Sequence, residues 1–165
     1  MRRTALAIML VGFVFVFFSI PLAGVDLLID AVGFLLVFNG ARPLEKTMPG
    51  FGKASWCAIA LTVVSAAQLF LGGTVYLVLS LLRAAGEVLL FLWLMRGLTQ
   101  MLKKESRLRL VPLTYGAFTL NMATSALVAV MLFVPLPALA MGIVLAVVHV
   151  LLLALLLRLA LLPAP

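Results

Sequence analysis

Six apolar stretches alternate with short breaks along the 165-residue chain. They cover 4–20, 25–39, 54–71, 74–97, 111–134 and 138–162. A bilayer-spanning helix needs roughly 17–25 residues, and all but the second stretch have that length. The second is short and has two aspartates, which predicts a tilted, locally thinned or re-entrant helix. The breaks are of two kinds. Those at 21–24, 72–73 and 135–137 are very short and uncharged, whereas those at 40–53 and 98–110 are longer and basic. Short and long breaks alternate, which predicts three antiparallel helical hairpins.

Composition turns these stretches into membrane spans. The chain is 66% hydrophobic and 10% charged. Soluble domains have roughly 45–50% apolar and about 25% charged residues. The expected fold is therefore all-α, a polytopic transmembrane bundle of six helices forming one domain over 1–165. The net charge of +7 does not point to nucleic acid, because the basic residues lie between apolar runs and form no basic domain of their own. In the hairpin order every Lys and Arg except Arg83 falls on one side, joined there by Trp56 and Trp93. Cytoplasmic loops are enriched in Lys and Arg, and indoles favour the interface. This predicts a multi-pass plasma (inner) membrane protein with both termini in the cytoplasm. Met1-Arg2-Arg3 and the apolar run after it resemble a signal peptide. No clean A-x-A site follows, so this segment reads as an uncleaved first helix.

The expected partners are membrane lipids, a small-molecule or ion ligand, and a membrane-protein partner or second copy. The run 103–109 (KKESRLR) reads as a topology anchor near lipid headgroups. Arg42, Pro43, Glu45 and Lys46 read as a solvated loop with local ion pairs, or as a docking surface. The single cysteine, Cys57, excludes an intrachain disulfide or a cysteine metal cluster. No cofactor is expected. Ala138, Gly142 and Ala146 form a small-residue stripe that predicts close helix packing.

Charges at membrane depth cost a few kcal/mol each and mark functional candidates. The candidates are Asp26, Asp30, Arg83, Glu87 and His149, with Gln68 and Asn121 as uncharged companions. Ser65, Ser80 and Ser125 accompany them. Asp26, Asp30 and Gly33 share one helical face, and Tyr76, Ser80, Arg83 and Glu87 share another. With a rise of 1.5 Å per residue, Gln68 lies about 6 Å and Asp30 about 8 Å from the outer end. Arg83 lies at about 14 Å, His149 at about 17 Å, and Glu87 and Asn121 at about 20 Å. Asp26 is near the outer surface. The set predicts one cavity in the outer half that binds or transports a small solute. Arg83 would hold an anionic group there, and the acids and amides would hold polar or cationic groups. Two other readings use the same residues. One is a purely structural ion-pair network, with Arg83 pairing to Glu87 and to Asp30, in an accessory or assembly subunit. The other is a membrane-embedded metal-dependent enzyme using Asp26, Asp30, Glu87 and His149. Against the enzyme stand the missing HExxH, activated nucleophile and Gly-rich phosphate loop.

Two resemblances follow from these residues. The stretch from Val25 to Gly40, with Asp26, Asp30 and Gly33, resembles an uncharacterised family of small bacterial membrane proteins. That family has an Asp-x-x-Pro-Asp-x-x-Gly motif, and Ile29 stands here where it has proline. The resemblance implies no activity. The architecture is similar to the substrate-binding subunits of energy-coupling-factor transporters, which capture vitamins or metal ions. Those subunits dock on an ATP-driven module through small residues of the first helix, and this chain has Ala5, Ala7 and Gly12 there. The analogy implies a ligand cavity toward the outside.

Overall fold

The computed structural model describes residues 2–17, 25–131, 133–134 and 138–162, without the side chains of 25–27, 131 and 138–140. Six helices account for nearly all of it: α1 (Arg2–Phe17), α2 (Val25–Glu45), α3 (Pro49–Gln68), α4 (Gly73–Lys104), α5 (Val111–Met131) and α6 (Ala138–Leu161). A 3-10 turn, Leu108–Leu110, precedes α5, and no strand occurs among the described residues. The expected breaks at 21–24 and 135–137, and the end of the first stretch at 18–20, lie outside the described residues.

The second helix is not short. It runs 21 residues, six beyond the expected end at Asn39. What reads as a solvated loop, Arg42 to Glu45, is its last turn, and Pro43 is tolerated there because little helix follows it. Gly40 is a contact residue, not a breaker. A Cβ there would lie 2.6 Å from the Ala5 carbonyl of α1. Gly50 and Gly52 mislead in the same way, so α3 begins at Pro49 rather than Ala54. Added Cβ atoms would lie 2.7 Å from the Gly97 amide nitrogen and 2.9 Å from Glu45 Oε1. Proline is pre-shaped for the first helical position. Thr47 and Met48 donate their amides to the Leu44 carbonyl and close the tight link between α2 and α3.

At 32 residues, α4 is the longest helix. At 1.5 Å per residue it reaches about 48 Å, well beyond a hydrocarbon core of about 30 Å. It runs past the expected end at Gly97 to Lys104 and finishes in a Schellman motif. There the Arg107 amide donates to the Leu102 carbonyl (2.8 Å) and the Ser106 amide to the Lys103 carbonyl (3.1 Å). Ser106 takes the left-handed conformation this motif requires, with φ 57°. At the other end Gly73 has φ +62° and starts the helix after the Gly72-Gly73 turn.

Each helix packs on the next in sequence, and α6 returns to α1, closing a ring. The expected hairpin partners are neighbours, but α2 packs along α3 as extensively as along α1, while α5 and α6 form the loosest of the hairpin pairs. Gly12 and Gly33 bring α1 and α2 into backbone contact. An added Cβ on either would lie 2.6–2.7 Å from the other's carbonyl oxygen. Ala5 and Gly12 thus face α2, and of the small residues expected to form a docking face on the first helix only Ala7 is exposed. The stripe on α6 also differs from expectation. Gly142 and Ala146 are exposed, a Cβ at Gly142 would meet nothing within 4 Å, and the Ala138 side chain lies outside the described residues.

The first and last described residues, Arg2 and Leu162, lie at one end. Arg2 is ion-paired with Glu105, and Arg2 Nη2 and Arg3 Nε each donate to the Leu162 carbonyl (3.1 Å). These guanidinium groups cap carbonyls that a helix C-terminus leaves unmatched. The Trp93 ring lies at the same end between Lys53 Nζ (4.2 Å) and the Arg96 guanidinium (4.8 Å). The outward surface is apolar, with Val63, Leu82, Ile143, Val147 and Leu151 all at least half exposed. Soluble monomers rarely expose so much contiguous apolar surface. Among the described residues four helical segments are long and apolar enough to cross a membrane: Pro49–Gln68, Gly73–Lys104, Leu108–Val130 and Met141–Leu161. The fold is an all-α bundle compatible with a multi-pass membrane protein.

Candidate functional site

The centre of the ring is aromatic toward one end and charged toward the other. Phe13 of α1 stacks on Phe91 of α4 (5.7 Å between centroids), and Phe91 meets Phe118 of α5 edge-on (6.1 Å). Two turns before Phe91 on the same helix is Arg83. Its Nη2 lies 2.6 Å from Asp30 Oδ2 of α2, and its Nε–H donates to Glu87 Oε1 at 3.1 Å. Helices α2 and α4 are not backbone neighbours, so the Asp30–Arg83 pair spans the interior of the ring. Phe34, one turn after Asp30, places its ring 5.7 Å from the guanidinium carbon. A long, flexible arginine spans such a gap where a shorter cation would not, and its forked donors serve both carboxylates. Asp30 is 2% exposed. Two carboxylates against one guanidinium leave the cluster formally with one negative charge.

A cavity of about 320 Å³ adjoins this cluster. Arg83 and Glu87 form its charged wall, Gln68, Tyr76, Ser80 and Ser125 line it as polar residues, and Phe17 and His149 form an aromatic wall. Phe17 ends α1, Gln68 ends α3, Tyr76 is in the first turn of α4, and His149 is in the first half of α6. The cavity therefore occupies the half of the bundle away from the basic end. One wall is already ordered by hydrogen bonds. Gln68 Nε2 donates to Ser80 Oγ (3.0 Å), and the Ser80 hydroxyl donates to the Tyr76 carbonyl (2.9 Å). Gln68 Oε1 is buried with no hydrogen-bond partner among the described residues. Buried acceptors normally have a partner, so this atom has capacity for a donor. The His149 ring lies flat on Phe17, 3.9 Å between centroids and 3° between planes.

The sequence-predicted site residues divide accordingly. Gln68, Arg83, Glu87 and His149 meet at the cavity. Asp30 stands behind Arg83 and is not part of the lining. Asn121 is buried elsewhere, with its Nδ2 donating to the Ala117 carbonyl (2.9 Å) and reaching the Val148 carbonyl (3.4 Å), so it links α5 to α6. The Asp26 side chain lies outside the described residues. Phe17 and Phe34 contribute to the site without having been singled out. In a chain this apolar no sequence signal separates two such phenylalanines from the others. Arg83 already pairs through Nη2 with Asp30 and through Nε with Glu87.

Among the described residues no three His, Cys, Asp or Glu side chains converge as metal ligands would. The metal-dependent reading thus has no assembled ligand set among them. No protein-family model, curated protein or solved structure matches the chain.

Proposed function

We propose that this chain is a multi-pass plasma-membrane protein with both termini in the cytoplasm, and that it binds or transports a small polar solute through the cavity beside Arg83. One observation supports this most. Two members of the charged cluster, Arg83 and Glu87, line a cavity of ligand size instead of being sealed by packing. A purely structural ion-pair network has no need of such a space. Small-molecule sites are typically concave, mostly apolar and provided with a few convergent polar groups.

The charge selects the class of solute. The lining pair Arg83–Glu87 is formally neutral, Asp30 behind it makes the cluster formally negative, and the unmatched Gln68 Oε1 is an acceptor. A small organic cation or a strong hydrogen-bond donor suits this site, and Phe17 gives it an aromatic face. The test is thermal unfolding of the purified protein in neutral detergent, titrated with methylammonium, ethylammonium and guanidinium, and in parallel with acetate and phosphate. The cations should raise the midpoint, and Glu87→Gln and Gln68→Leu should each reduce the shift at least fivefold. If no cation shifts the midpoint, or if both variants keep the full shift, the reading is wrong. Uptake of labelled ethylammonium into proteoliposomes then separates transport from binding.

The accessory-subunit reading has one observation in its favour. Gly142 and Ala146 present a small-residue strip that no described residue covers. Blue-native electrophoresis of membranes solubilised in mild detergent tests it. A single discrete complex larger than the monomer, lost in Gly142→Leu, supports that role.

A further inference from the structure

At the basic end of the bundle, α5 and α6 do not close tightly, and an apolar groove of about 420 Å³ runs between them on the outward face. Its lining includes Leu113, Gly116, Leu120, Leu151 and Leu155. A Cβ at Gly116 would meet nothing within 4 Å, so the space is open to a guest. From Pro112 to Leu120 the groove follows about 12 Å of α5 toward the middle of the bundle. Beside it is a recess of about 460 Å³ lined by 106–110 and Arg158. Arg158 lines both spaces, so the groove and the recess adjoin at its side chain.

The recess is lined by three arginines and by no carboxylate residue. Arg107 contacts Glu105. Arg109 and Arg158 have no carboxylate partner among the described residues. An arginine-lined recess adjoining an apolar furrow matches one kind of molecule in shape and charge. A phosphate would occupy the recess and a hydrocarbon chain the furrow. We infer that this α5–α6 surface is a specific binding site for an anionic phospholipid. Its phosphodiester sits between Arg109 and Arg158, and one acyl chain lies over Gly116. Basic pockets between helices at the cytoplasmic side are suited to acidic headgroups. The inference rests on the chain being embedded in a membrane. It does not depend on the solute cavity, which occupies the other half of the bundle.

The test uses the whole chain purified in a neutral maltoside detergent and stripped of lipid. Retained lipid is counted by native mass spectrometry, and the unfolding midpoint is measured with added phosphatidylglycerol, phosphatidylcholine or inorganic phosphate. Phosphatidylglycerol should remain bound at one molecule per chain and raise the midpoint by several degrees. Phosphatidylcholine at the same mole fraction should give less than a third of that shift, and phosphate none. Arg109→Gln, Arg158→Gln and Gly116→Leu, all at exposed positions, should each weaken phosphatidylglycerol binding at least fivefold. Equal effects of the two lipids would mean general solvation and overturn the site. So would reproduction of the shift by phosphate alone. Loss in the arginine variants with full binding in Gly116→Leu would reduce the surface to headgroup attraction and also overturn it.

Discussion

The most consequential single residue is Arg83, because it holds two carboxylates in the interior of the ring. Its partners are unequal. Asp30 is almost fully enclosed, whereas Glu87 is on the same helix and lines the cavity. Removing one partner of a buried pair leaves the other charge exposed to a poor solvent, a loss of about 3–5 kcal/mol. After Asp30→Ala, however, Glu87 still neutralises Arg83 and only the link across the ring is lost, so stability should fall by about 1.5–3 kcal/mol. Glu87→Gln should cost less, since the Asp30 link across the ring remains. Chemical unfolding in mixed micelles measures both. Gly33 offers a second test. A side chain there meets the backbone of α1, which cannot yield cheaply, and overpacking of this kind costs about 1–3 kcal/mol. Gly33→Leu should destabilise within that range in the same assay. The spacing of Asp30 and Gly33 now has a physical content: one places a charge across the ring, and the other lets two backbones touch.

At the scale of elements, helix existence was legible in the chain and helix ends were not. The apolar stretches located all six helices because hydrophobicity dominates their sequence. The ends failed wherever glycine, proline or a charge was read as a break. Gly40 and Gly50 sit within helices where neighbouring backbones approach them, and Gly52 where the Glu45 side chain does, and approach is a tertiary fact. Arg42, Gln100 and Lys103 are as helical as the residues before them, since polar residues past the hydrocarbon boundary continue a helix without penalty. The candidate site was legible as charges on helical faces. Which charges share a wall depended on the ring order, and hence Asn121 fell outside it. The end of α4 yields a direct prediction. Ser106 occupies a left-handed position that favours glycine, at a cost of about 1 kcal/mol for an L-residue. Ser106→Gly should raise stability by about 1 kcal/mol, read as an increase in the thermal midpoint.

The whole molecule is polarised. The described basic residues other than Arg83 gather at the end shared by Arg2 and Leu162, while the cavity occupies the other half. If that basic end faces the cytoplasm, the turn between α3 and α4 faces outward. Phe70, in that turn, is 85% exposed. With the native cysteine removed by Cys57→Ala, Phe70→Cys should react in intact cells with a membrane-impermeant maleimide. Lys46→Cys, at the basic end, should react only after the membrane is permeabilised. The reverse pattern would invert the orientation. The same polarity explains why the two inferred ligand surfaces differ in charge: the solute cavity has the Arg83–Glu87 pair with Asp30 behind it, and the lipid groove ends at arginines alone.

The closure of α6 on α1 bears on how such a chain is assembled. Along the chain four helices separate α1 from α6, and contacts so distant in sequence form late. Phe17 waits for His149, and Arg2 and Arg3 wait for the Leu162 carbonyl. Until α6 arrives, α1 to α5 form an arc whose cavity lacks one wall. The cavity beside Arg83 is thus complete only once α6 has joined α1, the wall with His149 being the one the sequence supplies farthest from Phe17.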